Sequence, residues 1–301
     1  MDSLTTILAS AVRLTGPLAF AGCGEQVAER SGTLNISIEA MMLAGAFFGV
    51  LGTSVFGSIV GGLILGVLAG LVVAVIHANF SHRLNANTFV VGLTLNVLLL
   101  GMTSFLLETV DLEPKQAGRI EIPGLKEIPV IGEPLFVNRW PIYLLVPLIP
   151  LSWWLVHRTR WGLEVRASGE DPQAADVTGI DVNKRRRQSL YYCGLLSGLG
   201  GAYLSVAEVG LFNQNMTAGR GFLVNAAVIF GGWTLTGTLA GCFLFGAADA
   251  LRLALPALGY RITPQLLIVA PYLLAILAML FFANRNRKPA ALAVPFERGI
   301  T

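Results

Sequence analysis

Long charge-free apolar runs constrain the fold of this chain more than any other feature. They occupy six ranges: Ala40 to Ala78, Leu84 to Leu107, Trp140 to Val156, Gln188 to Ala207, Gly221 to Ala248 and Ile262 to Asn284. Because a helix needs about 20 apolar residues to cross a bilayer, the longest run must hold two helices. Glycines cluster at Gly52 to Gly57 and at Gly231 to Gly237, which predicts helix breaks there. The sequence therefore predicts an all-α integral membrane protein with about eight to nine transmembrane helices.

The composition agrees with this class. Of 301 residues, 54% are hydrophobic and 13% are charged, and the mean hydropathy is +0.67. Soluble domains carry about 25% charged residues. The net charge of +3 is a signal of membrane topology, so it gives no reason to expect nucleic-acid binding.

Basic residues indicate which loops lie in the cytoplasm. They concentrate in residues 158–188 and in the tail, as Arg158, Arg160, Arg166, Lys184, Arg185, Arg186, Arg187, Arg285, Arg287 and Lys288. Acidic residues outnumber basic ones in residues 108–139, which predicts an external loop. Alternation of the helices then places the N-terminus outside and the C-terminus in the cytoplasm.

The cytoplasmic insert contains a predicted short helix. Asp171 can cap its first N–H groups, Pro172 suits the first helical position, and Gly179 can take the left-handed conformation that ends a helix. Ala174 and Ala175 give the helix a face without bulk, which suits a groove on another protein. An ordinary cytoplasmic loop with a capped helical turn is the alternative.

The chain is expected to form one transmembrane domain over residues 1–301 with two halves of opposite topology. Its parts are the first half at 4–139, the coupling loop at 158–188 and the second half at 189–284. Each half contains a Gly- and Asn-bearing interruption, from Glu29 to Asn35 and from Asn215 to Gly221. Broken helices that line a cavity are typical of transporters built from inverted repeats. Plain loops at both places are the alternative.

Three strings resemble one family. Residues 29–36 read ERSGTLNI, residues 161–180 contain Trp161-Gly162 and Gly169-Glu170, and residues 215–222 read NMTAGRGF. Together they are similar to the membrane permease subunits of bacterial ABC importers, and more narrowly to the nucleoside and simple-sugar branch of the branched-chain amino acid and ribose permease family. The resemblance covers Val27 to about Leu251. Two positions depart from it, since Ala40 replaces a usual Gly and Thr236 a common Pro.

The resemblance implies several partners. The short helix would be a coupling helix seated in a cleft of a separate ATPase subunit, through the matching residues Glu170, Asp171, Pro172, Ala174, Ala175 and Gly179. A second permease subunit, identical or homologous, and an external binding protein are also implied, in the cytoplasmic membrane of a bacterium. The chain would be no enzyme and need no cofactor, because none of its four lysines lies in the Gly-x-x-x-x-Gly-Lys-Ser/Thr frame that cradles ATP phosphates.

Five residues inside apolar segments are candidates for the substrate pathway, namely Asn35, Glu39, Asn96, Asn225 and Trp233. Glu39 follows Asn35 by four positions, so the two are expected to share a helix face toward water, a partner or substrate. A structural pairing of Glu39, for example with Arg30, is the alternative. Asn96 could read a ribose hydroxyl or a base edge, Asn225 is a further candidate in the short segment after Gly221, and the Trp233 indole could stack on a base. Interhelical hydrogen bonding is the alternative for Asn96, and packing or interface anchoring is the alternative for Asn225 and Trp233.

Other classes of function fit less well. A self-sufficient secondary transporter would need coupling-ion carboxylates, for which Glu39 and Asp249 are candidates without a unifying pattern. An intramembrane enzyme would need a catalytic motif that the apolar runs lack. The three cysteines and three histidines have no metal-ligand spacing, so no metal site is predicted. The sequence favours an ABC permease for nucleosides, with simple sugars or branched-chain amino acids as alternative substrates.

Overall fold

Helices make up nearly all the regular structure that is described, as the apolar runs predict. The structure is a computed structural model that describes residues 2–113, 115–257 and 288–297, with a few isolated positions between residues 263 and 277. The predicted segment from Ile262 to Asn284 lies almost entirely outside the described residues.

Four long helices form the first half: α1 (Asp2–Arg30), α2 (Ile38–Phe56), α3 (Ile59–His82) and α4 (Thr88–Thr109). α2 ends at Phe56, and the next residue, Gly57, has a φ of +62°, the left-handed conformation that favours glycine. The predicted break at this place is therefore confirmed. The segment between α1 and α2 is also non-helical, as the first interruption predicts.

The predicted external loop contains regular structure that its sequence did not suggest. β1 (Arg119–Glu121) pairs antiparallel with β2 (Val137–Arg139), and α5 (Gly132–Phe136) lies between them in sequence. A 3₁₀ turn, Trp140–Leu144, then leads into α6 (Leu145–Arg158). These last two elements form the predicted span between the halves.

The remaining helices are α7 (Arg160–Glu170), α8 (Pro172–Val177), α9 (Val182–Ala202), α10 (Arg220–Phe230) and α11 (Leu235–Ala257). A π-helical turn, Tyr203–Val209, continues α9. α9 begins inside the predicted coupling loop because the Asp181 side chain caps it by accepting from the Lys184 amide. A turn separates α10 from α11, which confirms the break predicted at Gly231 to Gly237.

Seven of the described helical segments are long and apolar enough to cross a membrane, judged by length and composition. α10 is apolar but shorter. The prediction of eight or nine segments also counted the run from Ile262, which the structure does not describe. The described part of the chain is thus consistent with the predicted multi-pass architecture.

The first long helices of the two predicted halves, α1 and α9, run in opposite directions, and the opposite topology of the whole halves stays a prediction. α1 and α9 run antiparallel, because Arg186 near the start of α9 donates to the Ser31 carbonyl beyond the end of α1, whereas the Tyr203 hydroxyl donates to the Arg13 carbonyl. The packing partners also exchange between halves: α1 packs on α11 and α10 in the way that α9 packs on α3 and α2. An inverted repeat would produce such an exchange among the described helices.

Small residues allow the central helices α2, α3 and α9 to approach closely. A Cβ added at Gly201 would overlap the Met42 carbonyl oxygen, and one at Gly198 would overlap the Gly66 carbonyl oxygen. Backbone contact of this kind is common between transmembrane helices because van der Waals packing replaces the hydrophobic effect there.

Candidate functional site

Two helix N-termini meet inside the bundle, one from each half. α2 begins at Ile38 and α10 begins at Arg220, and the Glu39 side chain joins them. Its Oε1 accepts from the Thr217 hydroxyl at 2.6 Å and from the Gly219 amide at 2.8 Å, and its Oε2 accepts from the Gly221 amide at 2.7 Å. A helix N-terminus has unpaired N–H groups and partial positive charge, so it stabilises a carboxylate. Glu39 thus acts as the cap of α10.

The start of α2 is capped in turn by Asn96 of α4. The Asn96 Oδ1 accepts from the Ala40 amide at 2.9 Å, and its Nδ2 donates to the Ile36 carbonyl at 3.0 Å. One side chain therefore satisfies a donor and an acceptor of the broken segment. This geometry matches the interhelical hydrogen bonding that the sequence left open for Asn96.

The prediction that Asn35 and Glu39 share a helix face is wrong. α2 begins only at Ile38, so Asn35 lies in the non-helical segment before it. The Asn35 side chain turns toward α1, where its Nδ2 donates to Glu25 Oε2 at 2.8 Å. The expected alternative partner of Glu39, Arg30, instead donates to the Trp233 carbonyl at 2.7 Å.

A cavity of about 240 Å³ opens beside the two N-termini. Its lining combines polar and apolar residues: Glu39, Ala40, Leu43, Asn96, Val97, Leu100, Asn215, Gly219 and Phe222. Val97, Leu100 and Phe222 are 72%, 38% and 42% exposed, so this side of the cavity is open in the single chain. The cavity brings together two of the five predicted pathway residues, Glu39 and Asn96.

Asn35, Asn225 and Trp233 lie outside that lining. The Asn225 side chain donates to the Asn35 backbone carbonyl at 3.2 Å, so it links α10 to the segment before α2. Trp233 is 3% exposed, its ring N–H donates to Glu29 Oε2, and its φ is +54°. The indole is therefore packed against α1 in this structure, where it cannot stack on a base.

The predicted short helix is present as α8. Asp171 Oδ1 accepts from the Ala174 amide at 2.9 Å, Pro172 occupies the first turn, and Gly179 has a φ of +90°. The prediction of one free face bearing both alanines is wrong. Successive helical residues point about 100° apart, so Ala174 is exposed whereas Ala175 is 4% exposed and packs against Val182 and Phe296.

The exposed side of α8 combines apolar residues with acidic neighbours. Val177 is 89% exposed, and Glu170 and Asp171 are exposed just before the helix. Pro172 is buried with Ala175 against the rest of the chain. α8 thus presents a small surface with an apolar residue and acidic neighbours to the surroundings.

Comparison with known proteins identifies the family. The family described as "Branched-chain amino acid transport system / permease component" matches residues 7–283. The chain belongs to this family. It is accordingly a multi-pass membrane protein and a permease component of a transport system.

Three relatives resemble the permease over nearly its whole length. The guanosine ABC transporter permease protein NupQ of Bacillus subtilis is 33% identical, over 98% of this chain and 98% of NupQ. A protein of Haloferax volcanii named "Putative glucose ABC transporter permease protein TsgC13" is 33% identical, over 98% of this chain and 96% of its own. The nucleoside ABC transporter permease protein NupC of Lactococcus lactis is 32% identical, over 97% and 96%.

Sequence reasoning missed two buried acids of the permease. Glu25 and Glu29 in α1 are both fully buried, and Oε1 of each has no hydrogen-bond partner. Glu25 Oε2 accepts from Asn35 and from the Cys193 thiol at 3.1 Å, while Glu29 binds the Trp233 ring. Glu25 therefore contacts the break between α1 and α2, and Glu29 contacts the turn between α10 and α11. The sequence did contain a signal for these residues, because two acids four positions apart within one membrane helix share a face and need partners.

Proposed function

We propose that this chain is the membrane-spanning permease subunit of a bacterial ABC importer for nucleosides. The observation that carries the proposal is similarity over the full length to NupQ and NupC, whose names specify guanosine and nucleosides. The permease would lie in the cytoplasmic membrane, with residues 158–188 and the C-terminus in the cytoplasm. Simple sugars are the second candidate class, since TsgC13 is named for glucose and resembles the chain equally well.

The chemistry of the cavity suits a polar, uncharged solute. Carboxylate, amide and backbone groups of Glu39, Asn96 and Asn215 face it, and such groups can exchange hydrogen bonds with hydroxyls or a base edge. Glu39 and Asn96 already bind the two helix N-termini, so they have little capacity left for a tight ligand. Weak binding fits an importer that receives substrate from a binding protein and must release it. The other three predicted pathway residues would then act indirectly, by holding the segments around the cavity in place. These are Asn35, Asn225 and Trp233.

The open side of the cavity supports a second permease subunit. The volume of the cavity in the single chain, about 240 Å³, is below the roughly 300 to 1,000 Å³ of ordinary small-molecule pockets. The exposed side chains of Val97, Leu100 and Phe222 border it. A second subunit packed against α4 and α10 would bury these residues and enlarge the enclosed space, so that the pathway would run between the subunits.

The energy source would be an ATPase subunit that binds α8. The chain offers Ala174 and Val177 for an apolar contact, flanked by Glu170 and Asp171, while Pro172 and Gly179 define the ends of the helix. An exposed valine on a short, well-capped helix is suited to insertion into a cleft. ATP itself would bind to the partner.

A competition experiment tests the proposed substrate. The complex of the permease with its ATPase and binding protein is reconstituted, and uptake of labelled guanosine is measured against unlabelled purine nucleosides, pyrimidine nucleosides, ribose, glucose and branched-chain amino acids. We expect nucleosides to compete and amino acids to leave uptake unchanged. Transport of labelled leucine or glucose, with no transport of guanosine, would contradict the nucleoside assignment and leave the permease role in place.

A further inference from the structure

The tail of the chain folds back over the end of the bundle that carries α8. Residues 288–297, here called the tail strap, are held there by backbone hydrogen bonds. The Ala291 amide donates to the Gly169 carbonyl at 2.9 Å, and the Ala293 amide donates to the Gly32 carbonyl at 2.9 Å. Gly169 precedes α8, and Gly32 lies in the break between α1 and α2. The tail strap therefore connects the coupling region to the first broken segment.

Arg186 of α9 fastens the same three segments together. The residue is 1% exposed, and its guanidinium donates to four backbone carbonyls. These are Ser31 at 3.1 Å, Val294 at 2.7 Å, Ser168 at 3.3 Å and Ala291 at 3.5 Å. A buried charge is costly unless hydrogen bonds compensate it, and the planar fork of arginine can supply several donors at once. One side chain thus joins the α1–α2 break, the end of α7 and the tail strap.

Phe296 connects the tail strap to α8 itself. Its ring is 7% exposed and packs on Ala175 and Val182, and its carbonyl accepts from Asn183 at 3.3 Å. The strap consequently covers the inward side of α8, whereas Ala174 and Val177 point outward. A force on the outward side would be passed to the strap through the Phe296 ring.

We infer that the tail strap and Arg186 form the link that carries displacement of α8 to the Gly32 break. Arg186 and Phe296 are then positioning residues that couple ATP hydrolysis to transport. The path continues from Gly32, whose φ is +92°, into α2 and so to Glu39, the cap of α10. Packed side chains and hydrogen bonds in an unbroken series are a physical route for such coupling. This inference rests on the proposed function, because it requires an ATPase that moves α8.

The ratio of substrate imported to ATP hydrolysed distinguishes a variant that loses coupling from one that only loses stability. Phe296→Ala is compared with Val294→Ala, which truncates a 49% exposed side chain on the same strap. In the reconstituted complex we expect Phe296→Ala to lower the ratio at least about fivefold, the lower end of the effects that coupled sites produce. Val294→Ala should leave the ratio unchanged, and Phe296→Leu, which fills much of the same space, should restore most of it.

A purely structural role gives a different result. Uptake and ATP hydrolysis would then fall together as less complex assembles, and an unchanged ratio in Phe296→Ala would overturn the inference. If Phe296→Ala does not accumulate in the membrane, Arg186→Lys provides the same test. It keeps the charge, but one ammonium group cannot reach the four carbonyls, so the ratio should fall in the same way.

Hydrogen exchange in the wild-type complex gives a test without substitution. We expect the peptide that contains Ala291 and Ala293 to stay protected both without nucleotide and with a non-hydrolysable ATP analogue, because the strap moves with α8. Loss of protection on nucleotide binding would mean that the strap detaches, and the inference would fail. A wild-type complex that shows no ATP-dependent uptake at all would instead refute the proposed function.

Discussion

The Glu39 carboxylate lies 2.7 Å from the Gly221 amide nitrogen, so one side chain of the first half caps the broken helix of the second. The start of α2 is capped by Asn96 of α4, which belongs to the same half as α2. Helix N-termini inside a membrane require such partners, because lipid offers no hydrogen bonds. The cavity of the permease is therefore bordered by groups that hold both breaks in place.

Replacement of Glu39 by Gln should weaken both transport and stability. The amide keeps the size of the side chain, but it removes the negative charge from the helix N-terminus and leaves a single oxygen to accept from three donors. We expect a loss of about 1.5 to 3 kcal/mol, the range for hydrogen bonds to charged groups, seen as lower uptake and earlier thermal unfolding in detergent. Glu108→Gln, at an exposed acid of α4, serves as the control. Equal behaviour of the two variants would argue against the capping role.

Asn96→Ala should destabilise the start of α2. The substitution leaves the Ala40 amide and the Ile36 carbonyl without their partner, and each buried polar group left unpaired costs about 1 to 3 kcal/mol. Unfolding of the purified permease in detergent measures this loss. Thr94→Ala changes an exposed position of the same helix and should have little effect. Wild-type stability of Asn96→Ala would show that these two bonds contribute nothing.

Two neighbouring alanines of α8 should respond to bulk in opposite ways. Ala174→Trp places the ring on the exposed side, so the permease should insert and unfold normally but fail to retain the ATPase in a pull-down. Ala175→Trp forces the ring between Val182 and Phe296 and should destabilise the permease itself, by about 1 to 3 kcal/mol for overpacking. Normal ATPase retention by Ala174→Trp would count against α8 as the docking element.

Adding a methyl group at two different glycines should change the stability of the permease in opposite directions. In Gly201→Ala the new Cβ would overlap the Met42 carbonyl oxygen at the contact of α9 with α2, so the bundle must shift and the unfolding temperature should drop. In Gly101→Ala the Cβ meets nothing within 4 Å, and alanine is the better helix former by about 1 kcal/mol, so stability should hold or rise. A reversed order in a thermal unfolding assay would contradict the packing described for the three central helices.

Features set by local chemistry were predictable from the sequence. The cap at Asp171, the proline at the start of α8 and the left-handed Gly179 depend on neighbours in the chain, and the apolar runs depend on the bilayer. Glu39 stood out because an acid in an apolar segment needs a partner. Its actual partners, at residues 217–221, come from the other half, and no local pattern specifies them.

Features that depend on how distant segments meet were not predictable. Arg186 counts among the basic residues of a cytoplasmic loop, yet it is buried by the tail strap, which is more than 100 residues away in sequence. Ala175 and Ala174 look equivalent in the sequence, but in the structure Phe296 covers Ala175. Glu25 and Glu29 become meaningful only when Asn35 and Trp233 lie against them. In each case tertiary contact decides the role.

Uptake by reconstituted vesicles tests the central claim most directly. Labelled guanosine is supplied to proteoliposomes that contain the permease alone, or the permease with its ATPase and binding protein, each with ATP or with a proton or sodium gradient. The account predicts ATP-dependent uptake by the complete complex and none by the permease alone under any of these conditions. Gradient-driven uptake by the permease alone would contradict it, because the chain would then be a transporter that needs no ATPase.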